Sequence, residues 1–385
     1  MSLSKIIESR ASKRRQLKEF RSSISRVPLS CPVWLIAMRI FSATWAISRQ
    51  ARSFECRLRE RRSGACATSR SGCLKVSPRC AMPVKMISVT GNSLCATRIN
   101  AGWIDGPRMQ SSGNFISLNG GHGDSGGFIA PDQELPRRPN IADTVDDVAR
   151  AARRDIKYGA DWIKLMGTGG VLDLTSDFKV QELSEEQMAK AVEIAHRAGK
   201  RVMVHAEGTE GIKAAVRAGV DSIEHGTMLD DEGAALMAKK GTWLVPTLYT
   251  FQHGVELGTS HGQDPISLAK VKEIVAHQEP AFTRALKAHL KIAVGIDDEP
   301  QYLPKELEAL VRGGMTPLEA LQAATIRGAE LLNWSDRIGT IEAGKFADII
   351  AIDGDPTKDI NAIEKVIFVM KDGAVFKNDL APKVQ

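Results

Sequence analysis

Residues 200–226 read KRVMVHAEGTEGIKAAVRAGVDSIEHG, and this stretch decides the fold. An apolar run, VMVH, is followed by a segment with apolar residues at helical spacing, and a second short run, SIEH, closes the stretch. The helical segment ends at Gly219, where a residue without Cβ takes the left-handed conformation that stops a helix. A strand, a helix and a strand in this order predict two parallel neighbours joined by a right-handed crossover.

The same unit recurs along the chain from about residue 140 onward. Helical segments that end in glycine precede apolar runs at residues 153–167, 193–208 and 235–247. Thr144 and Ser184 open helices with capping-box patterns. Repeated strand–helix units predict an α/β protein with a parallel sheet, and both an open doubly wound sheet and a closed barrel have this rhythm. No GxxxxGK(S/T) motif is present to indicate a nucleotide-phosphate site.

Several apolar runs carry one polar residue at or near their carboxyl ends. These residues are Lys164, His205, His225 and Asp297. Side chains gathered from the ends of different strands are typical of the (β/α)8 barrel, whose active site lies on that face. The two histidines are 20 residues apart in successive units. Because adjacent parallel strands lie about 4.8 Å apart, both imidazoles could reach one metal ion.

The lysine and the aspartate each allow two interpretations. Burying the Lys164 ammonium in DWIKLMG costs several kcal/mol unless it is paired or neutralised. It is therefore either in an ion pair with a carboxylate or carboxylated by CO2, which makes it an oxygen ligand able to bridge two metals. Asp297 opens an acidic DDE run, which fits a solvated loop. Its place after KIAVGI favours instead a general base that passes a proton to the leaving amine.

Two further residues are candidates for contact with a substrate. His122 lies in NGGHGDSGG, which is either a flexible loop or a segment that brings the imidazole close to a substrate. Tyr249, at the end of VPTLY, either lines the pocket or packs as a strand-end aromatic. The other histidines stand in helical or loop contexts and are predicted to be surface residues: His196, His253, His261, His277 and His289.

The first 98 residues differ from the rest of the chain. The whole sequence, with 43% hydrophobic and 25% charged residues, is globular in composition, which excludes a collagen, a coiled coil or a fully disordered chain. Residues 1–98, however, hold 20 Lys and Arg, 4 Glu, no Asp and all six cysteines, whereas residues 99–385 carry a net charge of −10 and all eight histidines. A disulfide framework, a zinc site, a transit peptide and a nucleic-acid arm are conceivable, but the segment shows no signal-peptide pattern, CxxC pair or tyrosine. Arg39 interrupts the apolar run of residues 31–47, which argues against a membrane span.

A shifted reading frame explains more of this segment. Tryptophan and methionine each have a single codon, which constrains the bases under CPVWLIAMRI at residues 31–40. Read two bases later, compatible codons can encode a string that ends in His-Ala-His. In the same frame, residues 75–84 and 94–98 are compatible with strings ending in Arg-Asp-Ala-Gly and Leu-Arg-Asp-Ala, the last of which runs into INAG from Ile99. Residues 1–98 are therefore predicted to be an out-of-frame translation.

Five motifs together resemble one known family. WIKLMGTGGV, VMVHAEGTEGIKAAVRAGVDSIEHGT, VPTLYT, AVGID and IGTIEAGKFADIIAIDGDP are similar to the metal-dependent amidohydrolase superfamily. Within it they resemble the imidazolonepropionase-like branch, which includes Xaa-Pro dipeptidases and Xaa-Arg/Lys carboxypeptidases. The resemblance covers roughly residues 99–385 and implies a distorted (β/α)8 barrel (TIM barrel) beside a small β-sandwich built from both chain ends.

The resemblance also implies a binuclear site, usually of zinc. Lys164 would be the carboxylated bridging ligand, and His205 and His225 would complete the shell of the second metal. Asp297 would bind the first metal and shuttle the proton, and His122 would face the substrate. The sequence departs from the family at the first strand, whose HxH pair holds the first metal, because no histidine precedes His122.

The sequence thus predicts three regions and one activity. Residues 1–98 lack a family match, residues 99–335 form the barrel, and residues 336–385 supply the C-terminal strands of the sandwich. The predicted activity is hydrolysis of an amide bond in a dipeptide (Xaa-Pro or Xaa-Arg/Lys) or an N-acyl amino acid. The alternatives are a catalytically impaired relic and a cyclic-amide hydrolase of the imidazolonepropionase type.

Expectations about cofactor and partners follow from this activity. The family leads us to expect two Zn²⁺ ions, and the missing HxH pair makes one ion the alternative for this chain. The expected partner is a small amide or dipeptide substrate, with no nucleic acid and no membrane. A homo-oligomer in the cytoplasm is also expected.

Overall fold

The structure is a computed structural model, and it describes residues 96–103, 106–124, 138–258 and 264–380 together with the backbone of residues 33–36. The frame-shift hypothesis for residues 1–98 falls almost entirely outside these residues and stays a prediction. His261 also lies outside them.

The described residues form nine strands in two sheets. The strands are β1 (Val33–Ile36), β2 (Ser112–Ile116), β3 (Trp162–Met166), β4 (Arg201–Ala206), β5 (Ser222–His225), β6 (Trp243–Val245), β7 (Ile349–Asp353), β8 (Val366–Lys371) and β9 (Ala374–Asn378). Strands β2 to β6 form a parallel sheet in sequence order, and every residue of β3, β5 and β6 is buried. Continuous burial is typical of parallel strands covered on both faces.

The parallel sheet extends past β6. Ile292 makes a parallel bridge to Leu244 of β6, so the KIAVGI segment lies beside that strand. The segment ends at Asp297, which is thereby carried to the same edge as the ends of β3, β4 and β5. Helical crossovers join the five parallel strands and lead to the segment that bridges β6. The sequence predicts this arrangement for a (β/α)8 barrel.

Helices alternate with the parallel strands as the sequence predicts. They are α1 (Val145–Lys157), α2 (Glu185–Arg197), α3 (Thr209–Ala218), α4 (Asp231–Lys240), α5 (Leu248–Leu257), α6 (Pro265–Lys287), α7 (Leu303–Arg312), α8 (Pro317–Ala324) and α9 (Ile326–Leu331). Thr144 and Ser184 each form a complete capping box at the start of α1 and α2. Gly219 ends α3 in the left-handed conformation, with φ of 90°, as its lack of Cβ allows.

The core lies between the parallel sheet and the helices that cover it. Ile163, Val204 and Ile223 are fully buried residues of neighbouring strands, and they pack in one cluster with helix residues such as Ile212 and Met188. Truncation of a side chain in such a site costs about 2–5 kcal/mol. This packed scaffold fixes the positions of the strand ends.

The small antiparallel sheet has the order β1-β7-β8-β9. Strands β7 to β9 are the C-terminal share of the predicted sandwich. Residues 1–98 were predicted to lack a family match, yet β1 lies within this segment and pairs with β7 between Val33↔Asp353 and Ile36↔Ile350. The four residues VWLI of β1 are apolar and partly β-branched or aromatic, which suits a strand.

None of the helices in the described part of the chain combines the length and the apolarity needed to cross a bilayer.

Candidate metal and active site

The polar residues predicted at the strand ends meet at one edge of the parallel sheet. Lys164 lies in β3, His205 in β4 and His225 at the end of β5. These three and Asp297 line one cavity of about 360 Å³. The ladder between β4 and β5 pairs Ala206 with His225, so the two histidines stand one residue apart in register.

The imidazoles of His122, His205 and His225 form a contiguous group in the lining of this cavity. The ring centroids of His205 and His225 are 4.8 Å apart, and those of His122 and His205 are 4.4 Å apart. His225 Nε2 lies 3.9 Å from Asp297 Oδ2. The structure therefore brings together every strand-end residue that the sequence singled out, and it adds His122 to them.

One nitrogen of each strand-end imidazole is held by a protein oxygen. His205 Nε2 lies 3.0 Å from the carbonyl oxygen of Gly169, which only accepts, so Nε2 carries the hydrogen and Nδ1 keeps the lone pair. His225 Nδ1 lies 2.6 Å from Thr247 Oγ1, which leaves Nε2 for another partner. Burial lowers the pKa of both rings well below the usual value, and the nearby Lys164 lowers it further. Neutral imidazole, the form that binds metals, is therefore favoured.

The backbone at His225 is held in an unusual conformation. Its φ is +70°, in the left-handed region, and Gly226 follows with φ of 64°. The left-handed region costs a residue with a Cβ roughly 1–3 kcal/mol, and such residues concentrate at functional sites. This turn directs the chain away from the strand immediately after the ligand-type side chain.

Lys164 has no ion pair or hydrogen bond to its ammonium among the residues that the structure describes, although it is only 3% exposed. Burial lowers its pKa, and the charges of Glu224, Asp297 and Glu207 oppose this. The ion-pair interpretation of Lys164 thus finds no carboxylate in direct contact within the described residues. A lowered pKa increases the fraction of free amine, which is the form that reacts with CO2.

Two buried carboxyl groups lie close to the cluster, and the sequence reasoning missed both. Glu207 follows His205 by two residues, and burial raises its pKa to about 8. Glu224 precedes His225, accepts a hydrogen bond from Ser222 Oγ at 2.6 Å, and has a pKa raised by burial. The only signal in the sequence was a carboxylate beside each histidine, in HAE and IEH.

The donor set of this cluster fits a divalent cation. Burial raises the pKa of Asp297 to about 7, and its Oδ1 is buried without a hydrogen-bond partner among the described residues. Glu207 Oε1 is likewise buried without a hydrogen-bond partner among the described residues. Buried polar atoms normally have partners, so these two carboxyl oxygens, together with two neutral imidazoles, form a donor set that a divalent cation would satisfy.

His122 is held in the cavity by its neighbours. Its Nδ1 lies 2.6 Å from Asp173 Oδ2, and its backbone amide donates to the carboxylate of Glu182 at 2.9 Å. Burial would raise the pKa of Asp173, but hydrogen bonds from His122 and Ser176 outweigh it and hold the pKa below its usual range. These contacts hold His122 in place with its ring next to that of His205.

The cavity lining differs from the sequence prediction at His253, and of the two alternatives for Tyr249 it excludes the one in which Tyr249 lines the pocket. His253 was predicted to lie on the surface, but it is only 8% exposed and lines the cavity. Its Nδ1 forms a hydrogen bond with the carboxylate of Asp298. Tyr249 does not line the cavity. The ring of Tyr249 stacks on that of His253, with the ring centroids 5.4 Å apart, and its hydroxyl donates a hydrogen bond to Glu256. Tyr302 lines the cavity instead. The reason is that α5 starts right after β6 and turns His253 inward.

Comparison with known families identifies the class of protein that has this fold and these side chains at its strand ends. The model of the amidohydrolase family matches residues 83–376. The chain belongs to the amidohydrolase family. The match begins 16 residues before residue 99, where the sequence resemblance was expected to start.

Curated relatives include two enzymes of this family. Ochratoxinase of Aspergillus niger is 35% identical over 304 residues, which are 73% of this chain and 62% of the ochratoxinase. The chain thus spans less than two thirds of that relative. Imidazolonepropionase of Sphingopyxis alaskensis is 30% identical over 188 residues, or 46% of this chain and 41% of that enzyme.

A solved structure of a Xaa-Pro dipeptidase with bound methionine in its active site is similar in fold. The TM-score is 0.71 at 36% identity, with 74% of this chain and 72% of that chain covered. The predicted barrel-type α/β fold class is confirmed by this likeness.

Proposed function

We propose that this chain is a metal-dependent hydrolase that cleaves the amide bond of a dipeptide or an N-acyl amino acid. The observation that carries the proposal is the convergence of Lys164, His205, His225 and Asp297 on one cavity. The similarity to ochratoxinase and to a Xaa-Pro dipeptidase supports amide hydrolysis, and Xaa-Pro or Xaa-Arg/Lys dipeptides are the first substrates to try.

Zn²⁺ is the proposed cofactor, with two ions expected from the family. Lys164 in its carboxylated form, His205, His225 and Asp297 would hold the metal. Such a cation, when bound, acts as a Lewis acid on a carbonyl oxygen and makes water a stronger acid.

The side chains of the chain itself then have distinct tasks. Asp297, which lines the cavity, can take a proton from water and give it to the departing nitrogen. His122, held by Asp173 on one ring nitrogen, is placed to hydrogen-bond the substrate carbonyl. Val171, Leu172 and Phe251 form an apolar wall of the cavity that excludes water and accepts an apolar substrate group.

The test is Asp297→Asn, assayed by amine release from a panel of dipeptides. Without the carboxylate, proton transfer fails, so turnover is expected to fall by about 10²–10⁴-fold while the bound metal remains. Asp336→Asn, at an exposed carboxylate, is the control. Near-normal kcat in Asp297→Asn would refute the assigned role.

Two alternatives rest on specific observations. The absence of any histidine before His122 favours a catalytically impaired relic, which would bind one metal per chain or none, whereas metal analysis near two per chain supports the binuclear enzyme. The partial likeness to imidazolonepropionase favours a cyclic-amide hydrolase, and release of a ring-opened product from a cyclic amide would support it.

The remaining expectations concern the regions of the chain, its location and its partners. We place the barrel at residues 99–335 and the C-terminal sandwich strands at residues 336–385, after a segment of residues 1–98 of which residues 83–98 fall within the family match. A cytoplasmic homo-oligomer that binds neither nucleic acid nor membrane is proposed. Resequencing the gene across codons 1–98 tests the frame-shift, and a confirmed uninterrupted frame would remove it.

A further inference from the structure

Glu207 stands two residues after His205, at the carboxyl end of β4. Side chains two positions apart in an extended segment point to the same face. An HxE pair at a strand end therefore presents an imidazole and a carboxylate side by side, as an HxH pair presents two imidazoles. This chain has no HxH pair, and β4 supplies the pattern HAE.

The structure brings the third donor from the neighbouring strand. One ligand-type atom from each of His205, Glu207 and His225 lies within 4.8 Å of the other two, and all three residues are buried. Tetrahedral zinc with bonds of about 2.0–2.2 Å holds its donor atoms roughly 3.4 Å apart. Side-chain movements that shorten these separations by up to about 1.4 Å are therefore enough to bring the three donors onto one ion.

The contacts around the three side chains leave the required atoms available. The Gly169 carbonyl fixes Nε2 of His205 and leaves Nδ1, and the Thr247 hydroxyl holds Nδ1 of His225 and leaves Nε2. Metal-binding histidines are typically oriented by such a bond to the other ring nitrogen.

Glu207 is oriented in the same way. The Thr227 hydroxyl donates to Oε2, and the backbone amide of Glu207 donates to Thr168 Oγ1 at 3.0 Å. Oε1 is buried and has no hydrogen-bond partner among the described residues, although Glu207 has no exposed surface. An unpaired buried carboxylate oxygen costs several kcal/mol, and a cation at this point would remove the cost.

We infer that His205, Glu207 and His225 form a three-ligand site for one divalent cation in this chain, with Glu207 as a ligand. Two imidazoles and one carboxylate are a zinc ligand set that leaves a fourth position open. His205 and His225 line the cavity and Glu207 is fully buried, so these residues would hold an ion that a substrate could reach from the cavity. The inference deepens the proposed function, since it uses the same two histidines, but it does not depend on the hydrolytic activity.

The experiment measures binding of Co²⁺ to the full chain after removal of metal by a chelator. The visible absorption of bound Co²⁺ reports both stoichiometry and coordination. Glu207→Gln, which keeps the shape and removes the charge, is expected to weaken the affinity by about 10-fold or more and to change the spectrum. Glu224→Gln removes a buried carboxyl charge from the same cavity outside the three-donor group, and its affinity is expected to stay within about 3-fold.

His225→Asn serves as the positive control, because asparagine tolerates the left-handed backbone at this position. If Glu207→Gln does not fold, as judged by circular dichroism, Glu207→Asp replaces it, and it too is expected to weaken binding because its shorter side chain draws the oxygen back.

The outcomes separate this inference from the proposed function. Unchanged Co²⁺ affinity in Glu207→Gln, alongside weaker binding in His225→Asn, overturns the inference and leaves the hydrolase proposal standing. Equal weakening in Glu207→Gln and Glu224→Gln also overturns it, because cavity charge alone would then explain the effect. Selective weakening in Glu207→Gln, in a chain that hydrolyses no amide, supports the inference and counts against the proposed function.

Discussion

Replacing Lys270 with methionine should loosen the loop that follows β3. Lys270 lies in α6, and its ammonium donates to the carbonyl oxygens of Asp173, at 2.8 Å, and of Ser176. It also lies 3.5 Å from the Gly170 carbonyl oxygen. The same loop carries the Asp173 carboxylate that holds His122. One cation thus anchors the segment that orients a candidate substrate-binding residue.

The size of the effect follows from these contacts. A hydrogen bond to a charged group contributes about 1.5–3 kcal/mol. Two such bonds from a half-buried lysine, reduced for solvent screening, give about 2–3 kcal/mol of local stability. Since each 1.4 kcal/mol is a factor of ten, opening of the loop should become about 30- to 150-fold more frequent in Lys270→Met.

Amide hydrogen exchange measures this opening directly. The Gly170 amide donates to Ser176 Oγ at 2.9 Å, and the Ser176 amide donates to Asp173 Oδ1 at 2.6 Å, so both should lose protection. Lys272→Met, at an exposed lysine two residues along the same helix, is the matched control and should leave exchange unchanged. Exchange in the loop that is equally slow in Lys270→Met and the wild type would refute the anchoring role.

Two further predictions concern stability and pH. Asp173→Asn should cost about 2 kcal/mol of unfolding free energy at pH 7. Because the folded pKa of Asp173 lies below its unfolded value of about 3.8, this difference should persist from pH 7 to 5 and shrink below pH 4 in urea titrations. A pH-independent difference would contradict this. Glu306 accepts the first two amides of α5, and burial raises its pKa from 4.5 to about 7, so wild-type stability should fall as pH rises through that range. Glu306→Gln should remove about 2–3 kcal/mol of the change between pH 5 and pH 8, and an equal pH dependence in both proteins would exclude this role.

Features that depend on neighbours in the sequence were predictable. The capping boxes at Thr144 and Ser184 and the helix end at Gly219 follow from local hydrogen bonding and backbone freedom. The placement of His205 and His225 was predictable too, because repeated strand–helix units bring strand ends to one edge of a sheet. Local pattern and simple topology together account for the centre of the candidate site.

Contacts between distant segments of the chain could not be predicted from the sequence. Asp173 meets His122 across 51 residues, within a loop whose path no periodicity specifies. His253 was predicted to be exposed from its helical context, but the direction of its side chain depends on how α5 leaves β6. Glu207 looked like an ordinary polar residue after a strand, and only the burial of its carboxylate marks it as unusual.

The order of the strands also bears on how the site assembles. Lys164, His205 and His225 occupy three consecutive strands that are immediate neighbours in the sheet, within 62 positions of the chain. Short-range pairings close small loops, which costs little entropy and favours rapid formation. The part of the centre that these three side chains form is therefore encoded in one compact stretch, which a folding chain can complete without waiting for either terminus.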